Sequence, residues 1–166
     1  YFKKAKIDFK KNGFVHLKQL LDKDSLLKIK KESLLIKKNK KIFKTEYLHI
    51  HKHSSLVREL FKNKFLKKIL TYMLDYNDIM GLQSEIFYRP KGSAGIEYHQ
   101  DDFFIGAGRN NSANLWIPLT KTNKQNGTLC FLVNSHKKKI NKKINLINLN
   151  SNYSKPNFTK NFKMQR

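Results

Sequence analysis

A single cysteine, Cys130, stands among 166 residues. No disulfide can therefore form within the chain, and a zinc site built from several cysteines is excluded. Long apolar runs are missing too. The longest, such as Leu34-Leu35-Ile36 and Leu129 to Val133, fall far short of the roughly 20 residues a membrane span requires, so no membrane is expected as a partner. No initiating Met precedes Tyr1-Phe2-Lys3-Lys4, and no apolar stretch ends in a small-residue cleavage site. No secretory signal is visible, the start reads as truncated, and a reducing cytoplasm is the expected compartment. Acidic residues are scarce, 12 against 35 basic ones, for a net charge of +23. The hydrophobic fraction of 39% is low but still that of a folding chain, and the length suits one domain with one core.

So much positive charge raises the question of a polyanionic partner. Its distribution answers against one. Residues 1–80 hold 21 basic and 8 acidic side chains, residues 81–120 hold 3 and 4, and residues 121–166 hold 11 and none. The middle of the chain is nearly neutral. Lysine supplies most of the charge and travels with Asn and Ile, as in Lys137-Lys138-Lys139-Ile140-Asn141-Lys142-Lys143-Ile144-Asn145. All three have A/T-rich codons, so a biased genome accounts for the composition. A nucleic-acid binder would interleave arginines and aromatics on one face, whereas the four arginines, Arg58, Arg89, Arg109 and Arg166, are scattered.

Along the chain, Asn12-Gly13 signals a turn and Phe14 to Leu17 reads as a short strand. Asp22 is suited to cap a helix carrying Asp24 in its first turn, with Leu21 and Leu26 spaced as a hydrophobic staple. Leu26, Ile29, Ser33 and Ile36 recur at helical spacing, and the helix should fade between Lys37 and Lys41. Ser54-Ser55 offers a second cap. After it, Leu56, Val57, Leu60 and Phe61, then Phe65, Leu66, Ile69, Leu70 and Met73, predict one broken helix or two short ones. From Ile79 the character changes: Ile79 to Tyr88, Glu97 to Phe104, Leu115 to Leu119 and Thr128 to Val133 read as strands between Gly, Pro and Asn turns. Helices followed by strands predict an α+β domain with an antiparallel sheet or barrel. The expected organisation is a single domain over 1–166, helical over 1–78, with core strands over 79–136 and a Lys/Asn-rich loop or truncated tail over 137–166.

Chemistry concentrates at Tyr98-His99-Gln100-Asp101-Asp102. On a strand, side chains two apart share a face, so His99 and Asp101 project together. One imidazole and one carboxylate supply two of the three ligands of a 2-His-1-carboxylate iron site, which leaves coordination positions open for a co-substrate and dioxygen. Alone the motif is weak, since six histidines give roughly 0.4 chance His-x-Asp/Glu matches in such a chain. Its surroundings strengthen it. Downstream come Leu115-Trp116-Ile117-Pro118-Leu119, Gln125-Asn126-Gly127-Thr128-Leu129 and Phe131-Leu132-Val133-Asn134-Ser135-His136-Lys137. Upstream come Asn12-Gly13-Phe14-Val15 before a capped helix, and Gln83 to Tyr88 leading into Arg89-Pro90-Lys91-Gly92.

In this order and spacing, from about residue 8 to residue 138, the chain resembles the phytanoyl-CoA dioxygenase family of Fe(II)- and 2-oxoglutarate-dependent oxygenases. The resemblance implies a mainly β double-stranded β-helix, a cupin-like jelly roll with N-terminal helices packed outside and the barrel incomplete at the C-terminus. His99 and Asp101 match the family's first two iron ligands. The cofactors implied are Fe(II) and 2-oxoglutarate, and the implied reaction couples decarboxylation of 2-oxoglutarate to hydroxylation of a small molecule or acyl thioester by dioxygen. Halogenating relatives put a small residue at the position of Asp101, so its carboxylate implies a hydroxylase. Gln83 and Trp116 match positions lining the co-substrate and substrate pocket. Read as residues alone, Trp116 equally suits a core and Gln83 a solvated strand.

The sequence departs from the family in two respects. A second His is expected about 50 or more residues beyond the first ligand, with an Arg about ten residues later to pair with the far carboxylate of 2-oxoglutarate. Neither is present. His136 matches a Ser-His pair outside the metal set, and Arg166 has no His ten residues before it. Both missing groups are expected beyond Arg166, and the chain by itself is expected to be inactive. Val133-Asn134 stands where relatives often have Pro-Gly; Asn accepts the left-handed turn that this implies. His49, His51 and His53 alternate as a metal site might, but read better as a polar loop before the Ser54-Ser55 cap. Cys130 reads as a buried small hydrophobe. The alternatives to a dioxygenase are a cupin-like binding barrel without catalysis and, on charge alone, a basic nucleic-acid module.

Overall fold

The computed structural model describes residues 1–39, 46–93, 96, 99–108, 110–123, 125–138 and 164–165. They fall into two compact units. One comprises residues 1–16, 94–115 and 127–166, and the other residues 17–93 and 116–126.

The second unit is built on three helices. Helix α2, Lys23–Asn39, starts where the sequence places its cap: Asp22 Oδ1 accepts the Ser25 N–H at 2.7 Å and Oδ2 accepts the Ser25 hydroxyl at 2.6 Å. The Ser25 hydroxyl and N–H hold the Asp22 carboxyl below its ordinary pKa. Ile29 and Ser33 are the buried positions of its inner stripe. Ser33 is tolerated there because its hydroxyl donates back to the Lys30 carbonyl, 2.8 Å away. Helices α3, Ser55–Lys62, and α4, Lys64–Leu74, are two short helices divided at Asn63. Each has a side-chain cap: Ser54 Oγ accepts the Val57 N–H, and Asn63 Oδ1 accepts the Leu66 N–H. Leu66, Ile69 and Met73 of α4 are buried at i, i+3 and i+7. Helix α4 closes on Asp75 in the left-handed conformation, φ 62°.

A tertiary contact joins these helices. Glu32 of α2 reaches the start of α3, where its carboxylate accepts the hydroxyls of Ser54 and Ser55 and the N–H groups of Ser55 and Leu56. The first N–H groups of a helix have no intrahelical acceptor, and a carboxylate there also meets the positive end of the helix dipole. Burial raises the Glu32 pKa, but the four hydrogen bonds outweigh it and hold the group below its ordinary value of 4.5.

Strands β1, Glu46–Leu48, and β2, Glu85–Phe87, pair antiparallel with Glu46 opposite Phe87 and Leu48 opposite Glu85. Between β1 and α3 a 3₁₀ turn, Ile50–Lys52, buries Ile50 at 2% exposure. The segment leading into β2 lies close against α3. A Cβ on Gly81 would sit 1.8 Å from the Phe61 ring, so only glycine permits this approach. Gly81→Ala should destabilise the protein by about 1–3 kcal/mol, the usual cost of overpacking. Urea denaturation checks this, and an unchanged midpoint would contradict the close packing.

In the first unit, helix α1, Phe2–Asn12, occupies a stretch whose sequence does not announce it: Tyr1 makes no side-chain cap bond and the first turn has no acidic residue. Its end is the turn expected at Asn12-Gly13. Gly13 takes φ 89° and donates its N–H to the Phe9 carbonyl at 2.8 Å. Two further α1 carbonyls are satisfied from far along the chain. The Asn134 N–H donates to the Asn12 carbonyl at 3.1 Å, and His136 Nε2 lies 3.1 Å from the Lys10 carbonyl. The Phe14 ring stacks on Phe131 at 4.4 Å and 8°, a side-chain contact in place of the strand expected over 14–17. Strands β3, Phe131–Leu132, and β4, Met164–Gln165, pair antiparallel. Asn134 adopts φ 65°, the left-handed turn its identity suggests, ahead of a 3₁₀ turn at Ser135–Lys137.

Several expected strands are shorter than the sequence suggests. Among the described residues, Ile79 to Tyr88 pairs only at Glu85–Phe87, Thr128 to Val133 only at Phe131–Leu132, and Leu115 to Leu119 forms no strand. Cys130, just before β3, is exposed rather than buried. Among the described residues no helix is long and apolar enough to cross a membrane. Gly95, Glu97, Tyr98, Arg109, Arg166 and most of the Lys/Asn-rich stretch lie outside the described residues.

Candidate functional site

His99 and Asp101 come together, though not on a strand. Asp101 has helical backbone angles, φ −59° and ψ −32°, and stands immediately before a single turn of helix, α5, Asp102–Ile105, which ends on Gly106 at φ 68°. The Asp101 carbonyl accepts the N–H groups of Phe104 and Ile105 at 2.9 and 3.1 Å. Asp101 makes no side-chain cap bond to this turn; its exit is Gly106, whose left-handed backbone lets its N–H donate to the Asp102 carbonyl at 2.8 Å. Asp102 Oδ1 accepts the Gly108 N–H at 3.0 Å, which closes the loop after α5.

This turn sets His99 Nε2 2.9 Å from Asp101 Oδ1. The second carboxylate oxygen, Oδ2, accepts a hydrogen bond from Asn114 Nδ2, and Phe104 meets the His99 ring edge-on at 5.9 Å. Both side chains are partly open to solvent. Sequence reasoning misses Asn114, because no local pattern marks a residue 13 positions away as a partner of Asp101.

The donor pair fits one octahedral ion. Two adjacent ligands each about 2.1 Å from such an ion stand roughly 3.0 Å apart, close to the separation of Nε2 and Oδ1. The hydrogen bond from Asn114 occupies Oδ2, and Oδ1 faces His99 Nε2. No group of three His, Cys, Asp or Glu side chains suited to a metal occurs among the described residues.

The other candidate residues fall elsewhere in the chain's organisation. Gln83 is exposed, two residues before β2, and Trp116 is 39% exposed; both belong to the second unit. His99, Asp101 and Asn114 belong to the first. The His49-His51-His53 stretch is the connection before the Ser54 cap and carries the 3₁₀ turn Ile50–Lys52. His51 Nδ1 is 2.7 Å from Ser84 Oγ, and the His51 ring packs edge-on against Phe61. Burial, with the charges of His49, Lys52 and Arg58, lowers the His51 pKa.

The family model for Phytanoyl-CoA dioxygenase (PhyH) matches residues 9–155, and the chain belongs to this family. Its members are Fe(II)- and 2-oxoglutarate-dependent oxygenases. Neither the curated proteins nor the solved structures gave a match.

Proposed function

We propose that the chain carries the first two iron ligands of an Fe(II)- and 2-oxoglutarate-dependent dioxygenase that hydroxylates a small molecule or acyl thioester. The scaffold is a double-stranded β-helix with the N-terminal helices outside it. The observation that carries this reading is the His99–Asp101 pair, 2.9 Å between donor atoms, within a family of such oxygenases. His99 and Asp101 would hold Fe(II), and the hydrogen bond from Asn114 Nδ2 to Asp101 Oδ2 would orient the carboxylate. Bound Fe(II) with 2-oxoglutarate supplies the oxidative decarboxylation, to succinate and carbon dioxide, that is coupled to hydroxylation of a C–H bond. Asp101 fills the position that halogenating relatives keep small. The family resemblance supports a role for Gln83 and Trp116 in binding co-substrate and substrate.

Asn114→Ala should weaken metal affinity by about 10- to 100-fold, the usual effect of losing an outer-shell partner. A Co(II) titration followed by absorbance reads it, and an unchanged affinity would remove Asn114 from the site. The reading as a whole is tested by the codons beyond Arg166. A His followed about ten residues later by an Arg, in strand-like sequence, is the expected result, the Arg being needed for bidentate pairing with the 2-oxoglutarate carboxylate. A reading frame that ends without them favours a cupin-like binding barrel without catalysis.

A further inference from the structure

We infer that Phe104 is a positioning residue for the metal pair: from the helical turn that Asp101 begins, its ring packs edge-on against the His99 imidazole and keeps Nε2 directed at the carboxylate. The inference rests on the reading above that His99 and Asp101 hold the metal. It uses residues of the first unit alone.

A histidine that is partly open to solvent has two soft side-chain torsions, and both must be fixed before its ring nitrogen can serve as a ligand in one geometry. The hydrogen bond to Asp101 does not suffice for this, because a bound metal ion takes over the same two donor atoms, Nε2 and Oδ1. A contact that leaves both atoms free is needed.

Phe104 supplies one. Its N–H donates to the Asp101 carbonyl at 2.9 Å, so the two residues stand three apart on one helical turn, where side chains share a face. His99 meets both of them. Its Nε2 is 2.9 Å from Asp101 Oδ1, and its ring centroid is 5.9 Å from that of Phe104 with the planes at 76°, the separation and angle of a favourable edge-to-face pair. The turn that carries Phe104 is closed at its far end, where the Gly106 N–H donates to the Asp102 carbonyl and the Gly108 N–H to Asp102 Oδ1. Carboxylate and ring are therefore presented to His99 by one short, hydrogen-bonded piece of backbone.

Core packing does not account for Phe104, whose side chain is 49% exposed. Its removal leaves no cavity, so a loss of metal affinity in its variants is not a loss of folding. Phe104 touches neither metal nor co-substrate in this account. It acts through His99.

The test titrates the full reading frame with Co(II), followed by absorbance, and measures the order parameter of the His99 Cε1–H bond by carbon-13 relaxation, with a urea midpoint for each variant. Phe104→Ala removes the ring, Phe104→Leu keeps apolar bulk without a ring, and Phe104→Tyr keeps the ring. Phe104→Ala and Phe104→Leu should each weaken Co(II) binding about three- to tenfold, the worth of one aromatic pair, and should lower the His99 order parameter. Phe104→Tyr should match the wild type in both, and the urea midpoint should hold in all three. Unchanged affinity in Phe104→Ala, with Co(II) binding abolished in His99→Ala, overturns the inference and leaves the metal reading standing. Weaker binding with an unchanged order parameter, or weaker binding that Phe104→Tyr shares, makes the contact merely structural and also overturns it. Co(II) binding that persists in His99→Ala, or none by the wild-type protein, contradicts the metal reading itself, and the inference falls with it.

Discussion

His99→Ala and Asp101→Ala should each lower Fe(II)- and 2-oxoglutarate-dependent turnover by at least about 100-fold. The bound comes from comparison: losing a partner that only orients a ligand costs about 10- to 100-fold in affinity or activity, and losing the ligand itself must cost more. The two side chains present their donor atoms 2.9 Å apart, so neither has a substitute at the same place. Folding should be little affected, because both groups are partly open to solvent. Far-ultraviolet circular dichroism and a urea midpoint, measured beside turnover, separate the two effects. Turnover retained in His99→Ala would place the iron elsewhere.

Glu32→Ala should destabilise the protein by roughly 2 kcal/mol at neutral pH, since a charged acceptor is removed and the Ser54 hydroxyl and the first N–H groups of α3 lose their partner. Ser54 is fully buried, so water cannot take the place of Glu32 without a local rearrangement. The effect depends on pH with a definite sign. The folded-state pKa of Glu32 lies below its ordinary value of 4.5. Its contribution is therefore complete above the unfolded pKa and is lost as pH falls through the lowered folded value. The stability difference between wild type and Glu32→Ala should be constant near neutrality and shrink on acidification below about pH 4.5. Urea unfolding at a series of pH values measures it, and a difference that does not change with pH would contradict the network.

These two predictions draw on different depths of the sequence. What is local was legible. Asp22, Ser54 and the Asn12-Gly13 turn act where the pattern puts them, because a cap or a left-handed turn is decided within four residues. Ile29 and Ser33, and Leu66, Ile69 and Met73, are buried as the helical period requires. What depends on distant partners was not. Nothing local says that Glu32 caps a helix more than twenty residues away, that Asn114 holds Asp101, or that His136 meets the last turn of α1. At the site, the expectation that His99 and Asp101 lie together holds, but by a route the two-residue period did not supply. A helical turn at Asp101, capped by Gly106, brings the side chains into contact.

The central claim is that this pair binds the iron of a 2-oxoglutarate-dependent oxygenase. Its most direct test is succinate release from 2-oxoglutarate by the full reading frame, with and without Fe(II), in wild type and in His99→Ala. The account predicts succinate that requires Fe(II) and is abolished by the substitution. Succinate formation unchanged in His99→Ala, or absent from the wild-type protein with Fe(II), 2-oxoglutarate and a panel of small-molecule and acyl-thioester substrates, would contradict it.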